Sequence, residues 1–443
     1  MDKLLEVTEY DTIICNPAFK SDEKYRYLDK EQFDNLVQFI HEFSGDTDAA
    51  DILDFMRIGY KRNVGDTITI KNYVGLIQMK NGFQIQILPK IAFADGDVKE
   101  HTKTKKVFLH MLRSMRDFPS KVFTTASLQV DKMNLYELFI NMYLQEVRTL
   151  VKRGLQSTYV NTEDNLNFFK GKLQIPQHIR YNSAHKERFY VAYDVYSQNR
   201  AENRLIKATL LKLQKLSSSA ENTKLIRQLL TAFESVDASV NYEKDFAKVI
   251  IDRSTKAYET IMQWSKVFLL NKSFTTFSGS TTSRALLFPM ESVYESYVAQ
   301  QIKKVMIPNG WEVSTQDKQY SLFTTHDEKK LFALRPDIVM SKDGKTIVLD
   351  TKWKQLSDNE RINYGISQTD MYQMYAYSKK YNAKDVYLLY PVTEEMRKYK
   401  DENEIYFHSN DKNSTVETIV HIFFVDIANI EESMLALNEL LSK

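Results

Sequence analysis

The sequence holds one cysteine, Cys15, so no disulfide can close within the chain and no cluster of thiolates can hold a metal. A single thiol in 443 residues suits a reducing compartment, and a cytoplasmic location is the expectation. No apolar run approaches the roughly 20 residues that span a bilayer. The acidic N-terminus, MDKLLEVTEYDTIICNPAF, lacks the basic and apolar regions of a signal peptide. Charge of one sign is also missing. A net charge of +2 is too small for bulk attraction to nucleic acid, so local clusters or a partner must supply any affinity. There is no G-x-x-x-x-G-K-[ST] loop, so the chain is not expected to hydrolyse nucleotide by itself. The eight histidines are scattered without an H-E-x-x-H pattern and Cys15 has no evident base partner, which argues against a metal-independent hydrolase. Glycine (12) and proline (8) are scarce, whereas tyrosine (26) and phenylalanine (25) are plentiful.

What is present is a folded composition, 43% hydrophobic and 27% charged, over a length that suggests two or three domains. Residues 1–100 read as a β-rich domain with one helix, Asp29 to Phe43, whose apolar positions are Phe33, Leu36, Val37 and Ile40. Asn81-Gly82 marks a two-residue hairpin turn between alternating strands. Residues 101–283 read as a helical middle region. One of its helices ends in Lys152 and Arg153 before Gly154, cations in a last turn followed by a stop. Within it, 155–200 is less regular and carries Lys170, Lys172, Arg180 and Arg188. With Arg204, these are candidates for a projecting arm that contacts a partner. Phe274 to Arg284, FTTFSGSTTSR, is the expected linker. Residues 284–443 follow as an α/β domain, ordered helix, strand, strand, helix, strand, strand, strand, helix. The fold class expected is therefore α+β multidomain.

The chemistry concentrates in Leu334 to Lys354, LRPDIVMSKDGKTIVLDTKWK. Asp343-Gly344 is a type I′ turn signal flanked by strand-forming residues. A two-residue loop there sets Lys342 opposite Lys345, Met340 opposite Ile347 and Ile338 opposite Leu349. Continued outward, that register sets Asp337 opposite Asp350. The period of two then brings Lys352 to the same face and leaves Ile338, Met340, Ile347 and Leu349 for a core. Like charges opposed across a sheet are destabilising, and close carboxylates push one pKa upward unless a cation neutralises them. A divalent metal removes that conflict. Carboxylates with open water positions suit Mg²⁺, with Mn²⁺ as a substitute, and an adjacent lysine can neutralise charge building on a phosphate. Asp337, Asp350 and Lys352 are thus the candidate catalytic residues of a Mg²⁺-dependent DNA endonuclease.

Two helices flank this segment. Upstream, Pro289 opens a helix carrying Glu291 and Glu295 on one face. Either can complete the metal set, and Glu295, which follows the apolar pair Val293-Tyr294, is preferred. Downstream, Ser367-x-x-Asp370 is a capping-box variant opening a helix with Asp370, Gln373 and Tyr377 on one face. Gln373, Tyr377 and Arg335 are candidate substrate contacts.

At these residues the chain resembles the PD-(D/E)xK nuclease superfamily: Pro336-Asp337, then Asp350-Thr351-Lys352, with Glu295 upstream and Gln373-x-x-x-Tyr377 similar to the helix motif of RecB-type members. More narrowly it resembles the McrC family, the nuclease subunit of McrBC-type modification-dependent restriction systems. LRPDIV with LDTKWK carries that likeness, as does Asn72 to Ile91 ending in Leu-Pro-Lys. Arg153-Gly154-Leu155, Gly171-Lys172-Leu173 and Asn203-Arg204-Leu205 extend it into the middle region. The resemblance implies a restriction-endonuclease-like C-terminal domain and an AAA+ GTPase partner that forms a ring and recognises modified double-stranded DNA. It also implies an N-terminal region that enters the ring and stimulates hydrolysis, in the service of anti-phage defence. A double-strand break argues for pairing of two nuclease domains. The alternative reading is a non-catalytic DNA clamp or adaptor that activates the motor.

Overall fold

The computed structural model describes residues 4–45, 55–79, 81–93, 100–115, 118, 133–270, 284–327, 329–399, 405–409 and 417–442. The expected linker at 274–284 lies outside them except for Arg284. The chain divides into two compact units, Met1–Lys121 together with Gly279–Lys443, and Val122–Ser278. This differs from three consecutive domains, because the N-terminal β region and the C-terminal α/β region are built into one unit.

A shared sheet gives the reason. Strands Leu4–Thr8, Gln84–Leu88, Tyr73–Gln78 and Arg284–Pro289 lie side by side in that order, so the C-terminal region begins by completing an N-terminal sheet. The last pairing requires Gly75. Its φ is +142°, and a Cβ there would meet the Leu286 carbonyl oxygen at 1.9 Å. The turn after Gln78 is one residue wider than Asn81-Gly82 alone predicts. Gln78 faces Gln84, and the Met79 N–H donates to the Phe83 carbonyl at 2.8 Å. The first helix spans Lys30–Gly45, and Asp29 caps it by accepting from the Gln32 N–H at 3.0 Å. It buries Phe33, Leu36 and Ile40, as the apolar spacing requires, while Val37 is only half-buried and Phe39 is buried too.

The C-terminal part of the same unit is a six-stranded sheet in the order Glu312–Thr315, Ile338–Lys342, Lys345–Thr351, Asp385–Pro391, Ile419–Val425, Tyr406–His408. The three central strands from Lys345–Thr351 onward run parallel, and the others are antiparallel. Parallel strands covered on both faces are apolar throughout, and Asp385–Pro391 is buried along almost its whole length. Helices Met290–Met306 and Gln368–Tyr381 pack on this sheet, and Ile430–Leu441 packs on its fifth strand and on the first of those helices. The expected element order misses the short strands Glu312–Thr315, Ser321–Thr324 and Lys330–Ala333. They are only four residues each, too short to give a readable alternation.

The second unit keeps its expected helix as Leu135–Arg153, capped by Asn134 and stopped at Gly154 with φ +89°. The stretch read as irregular is instead a nine-residue antiparallel ribbon, Thr158–Leu166 against Phe189–Ser197, with Lys172–Leu173 beside it and helix Ile175–Asn182 packed on it. Neither long strand alternates: the first is polar on both faces and the second is largely apolar and aromatic on both, which hid the period. No helix among the described residues is long and apolar enough to cross a membrane.

Adding a methyl group at Gly75 forces the Arg284–Pro289 strand away or strains the backbone. Gly75→Ala is expected to destabilise the protein by about 3 kcal/mol or more. The check is the melting temperature of the full chain, with amide exchange along Ala285–Phe288 losing protection.

Candidate active site

The hairpin forms in the register the turn chemistry dictates. Asp343 and Gly344 have φ of +50° and +79°, as a type I′ turn needs, and Lys342 faces Lys345, Met340 faces Ile347, and Ile338 faces Leu349. Ile338, Met340, Ile347 and Leu349 are all fully buried. The opposite face is covered too, since Val348 lies in the core formed with Met374 and Tyr377 of the helix Gln368–Tyr381. Asp350, two residues along from Val348, shares that covered face, which is why it is 1% exposed.

The ladder ends one pair short of the two acids. Asp337 turns its carboxylate to the end of the partner strand, where Oδ2 accepts from the Thr351 N–H at 2.7 Å and from Thr351 Oγ1 at 2.6 Å. The two carboxylates remain close enough to repel. Burial pushes both upward from the usual aspartate range, and the Asp337 charge raises Asp350 further. Lys352 Nζ lies 2.6 Å from Asp350 Oδ2 and donates to Gln373 Oε1 at 3.0 Å. Gln373 in turn donates to the Tyr377 hydroxyl at 2.7 Å. The lysine is therefore steered from two sides, and its pKa is raised despite burial by the charges of Asp350, Asp370 and Asp337. Asp350 Oδ2 has the ion contact but no hydrogen bond of good geometry, so this buried oxygen keeps lone pairs unspent.

The two upstream glutamates separate. Glu291 accepts from Asn72 at 2.9 Å, tying its helix to the N-terminal sheet. Glu295 points to the acids. Burial and the Asp337 charge raise its carboxyl to about 7. Between Glu295 and Asp337 stands Gln316, whose side-chain amide donates to Glu295 Oε1 and reaches Asp337 Oδ1 at 3.5 Å. Gln316 also donates its backbone N–H to the Asp337 carbonyl at 2.9 Å and takes a left-handed φ of +52°. Nothing in the sequence pattern marks it. Asp370 has a second role as well. Ser367 caps the helix by accepting from the Asp370 N–H at 3.1 Å, but the Asp370 carboxylate turns away to Lys354 at 2.8 Å and Lys352 at 3.9 Å.

Among the described residues, no three His, Cys, Asp or Glu side chains are already gathered as a metal-binding cluster. The oxygens of Asp337 and Glu295 are held by Thr351 and Gln316, as described. The donor set is nevertheless hard oxygen throughout, with one buried carboxylate oxygen lacking a hydrogen bond, and it suits a hard divalent cation rather than a soft one.

A second buried carboxylate supports this centre from behind. Trp353, next to Lys352, donates its indole N–H to both oxygens of Glu9 at 2.9 and 3.1 Å. Glu9 is bracketed by the Leu-Pro-Lys segment: its N–H donates to the Leu88 carbonyl at 3.0 Å, and Lys90 N–H donates to its Oε2 at 3.1 Å. Burial raises Glu9 to about 8. The Trp353 ring also rests on Tyr294, with centroids 5.2 Å apart. Glu9 carried no sequence signal.

Of the remaining candidates, Arg335 is exposed just before the acids. In the second unit Lys170, Lys172, Arg180 and Arg188 are exposed, and Lys170 lies over the Tyr193 ring at 4.1 Å. Arg204 does not belong with them. Its guanidinium grips Asp245 at 2.5 and 3.3 Å, which ties the helix Ala201–Leu216 to Tyr242–Phe246. Its neighbour Asn203 is fully buried, donating to Gln156 and Gln198 carbonyls and accepting from Tyr258. The sequence reading also passed over exposed apolar residues on that unit, Phe168, Phe169, Ile175, Ile179 and Tyr181.

Comparison with known proteins identifies the family. The family described as McrBC 5-methylcytosine restriction system component matches residues 68–391. No curated protein sequence matches the chain. Its fold is similar to a chain in the refined half-complex from a tetradecameric assembly of Thermococcus gammatolerans McrB AAA+ hexamers with bound McrC. The TM-score is 0.68 at 18% identity, covering 99% of this chain and 100% of that one. A chain of the cryo-EM structure of the Thermococcus gammatolerans McrBC complex matches with a TM-score of 0.47 at 21% identity, covering 69% of this chain and 88% of that one. With the family match spanning most of the sequence, the chain belongs to the McrBC 5-methylcytosine restriction system component family.

Proposed function

We propose that this chain is the endonuclease subunit of a McrBC-like restriction complex, a PD-(D/E)xK enzyme that cuts double-stranded DNA and stimulates an AAA+ GTPase partner. The observation that carries the reading is the convergence of Asp337, Asp350 and Lys352 at one end of one hairpin, with Glu295 turned toward them. Asp337, Asp350 and Glu295 would hold Mg²⁺, or Mn²⁺ in its place, once the Gln316 amide turns aside. When bound, the ion supplies Lewis acidity toward the scissile phosphate. The chain's own groups do the rest. Lys352, held by Asp350 and Gln373, presents a fixed ammonium to the charge that builds on the phosphate. Tyr377 fixes the Gln373 amide, and Arg335 is free to meet the DNA backbone.

The partner surface belongs to the second unit. Lys170, Lys172, Arg180 and Arg188 stand among the exposed Phe168, Phe169, Ile175 and Ile179. An exposed apolar patch rimmed by charge is typical of a protein interface. The solved relative of similar fold comes from an assembly of McrB AAA+ hexamers with McrC, which favours a ring of that type as the occupant. Pairing of two nuclease domains would then give the two cuts of a double-strand break.

With the AAA+ partner, GTP, Mg²⁺ and modified duplex, Asp350→Ala and Lys352→Ala should each reduce cutting by at least about a hundredfold. Complex formation, followed by size-exclusion chromatography, should persist. Full cutting by either variant refutes the assignment. A second outcome follows from Glu295. Its carboxyl titrates near 7 when folded against 4.5 ordinarily, so the folded chain binds that proton more tightly than the unfolded chain. Its contribution therefore makes stability fall as pH rises from about 4.5 to about 7. A cation that binds the ionised carboxylates reverses this penalty, so the rise in melting temperature on adding Mn²⁺ should be larger at pH 8 than at pH 6. Asp350→Ala should abolish the Mn²⁺ shift at both values.

A further inference from the structure

Between the edge strand Glu312–Thr315 and the site hairpin, the chain makes a separate two-stranded hairpin, Ser321–Thr324 against Lys330–Ala333. Its base is fixed. Tyr320 stands edge-on to Tyr381 of the Gln368–Tyr381 helix at 4.7 Å, the Tyr381 hydroxyl donates to Asp317 at 2.7 Å, and Leu322 packs on the core under that helix.

The pairing is Ser321 with Ala333, Phe323 with Leu331, and Thr324 with Lys330. In that register Phe332 falls opposite Leu322, on the core side. It does not stay there. Phe332 takes a φ of +55°, a conformation that costs an aromatic residue strain. It is 69% exposed and stands edge to face on Phe323, itself 64% exposed, with centroids 6.0 Å apart. The backbone is thus bent against its own alternation, and a phenyl ring goes to water instead of core. Lys329 and Lys330 are exposed at the start of the second strand, Arg335 is exposed just after it, and the turn also carries Asp327. The chain then runs directly into Asp337.

We propose that this hairpin is a DNA wedge. Phe323 and Phe332 stack against or between bases of the duplex being cut, while Lys329 and Arg335 meet flanking phosphates. The inference rests on the nuclease reading above and adds the surface that grips the substrate. Duplex DNA is the occupant because the rings are flanked by cations and joined to the site strand. Two rings alone offer far less than the roughly 800 Å² per partner of a stable protein interface. Apolar side chains that part base steps, and aromatic rings on which bases stack, are established modes of DNA contact.

The test uses the full chain in complex with its AAA+ partner and a duplex carrying 2-aminopurine near the cut site. Wild type should bind with a rise in 2-aminopurine emission as the base unstacks. The double variant Phe323→Ala, Phe332→Ala should lose about tenfold or more in duplex affinity, together with that rise. Its Mn²⁺ thermal shift should stay unchanged. Phe332→Gly, which relieves the strained φ, should raise the melting temperature and still weaken DNA binding, a combination that a purely structural ring would not give. If the double variant binds and cuts like wild type, the wedge is overturned while the nuclease reading stands. If it loses self-association but keeps DNA affinity, the surface is a protein interface and the wedge is likewise overturned. If wild type neither binds nor cuts duplex, both fall together.

Discussion

The charge conflict at the end of the site hairpin is the constraint to which the surrounding structure answers. Asp350 is buried beside Asp337, and the ammonium of Lys352 is the cation in direct contact with it. Two carboxylates and one lysine leave an excess of negative charge in a place with little water, which is costly unless hydrogen bonds or a cation offset it. Each neighbour acts on that excess. Thr351 donates twice to Asp337, and Gln316 donates to Glu295 while reaching Asp337. Apolar residues of similar size would make a more stable sheet end. On the proposed reading the acids are kept there for chemistry, and a divalent cation would relieve the pressure they exert.

The N-terminal sheet is part of the same device. The Arg284–Pro289 strand joins it, Glu291 reaches back to Asn72, and Glu9 holds the indole next to Lys352. The Leu-Pro-Lys segment earns its place in this arrangement through its backbone, because the Leu88 carbonyl and the Lys90 N–H bracket Glu9. A likeness to McrC that begins far upstream of the Asp337 to Lys352 segment thus has a structural cause. The upstream segment and the motif residues are packed into a single unit.

How much of this was readable depends on whether the information was local. The Asp343-Gly344 turn and its flanking alternation are short-range features, and they gave the register, the buried face and the meeting of Asp337, Asp350 and Lys352. The helix stop at Gly154 and the helix cap at Ser367 were equally local. The domain boundaries were not, because the pairing of Tyr73–Gln78 with Arg284–Pro289 joins segments far apart in sequence, and only the φ of Gly75 betrays it. Gln316 and Glu9 matter through single long-range hydrogen bonds, which leave no periodicity behind. Arg204 misled for the opposite reason. A basic residue near other basic residues reads as surface, but its carboxylate partner, Asp245, lies 41 positions on.

The small net charge, first met as an obstacle to a DNA enzyme, fits a division of labour. Counterion release scales with the number of phosphates neutralised, so a chain of net charge +2 has little non-specific grip of its own. Its surface chemistry is instead local and of two kinds. The ribbon of the second unit mixes exposed apolar residues with a few cations, a composition suited to burial against protein. The Ser321–Ala333 hairpin carries two exposed rings, one of them on strained backbone, beside Lys329 and Arg335, close in sequence to the acids, a composition suited to bases and phosphates. On the proposed reading, a nuclease centre with weak intrinsic hold on DNA would act only where a partner delivers the duplex. Restraint would then be a consequence of low charge.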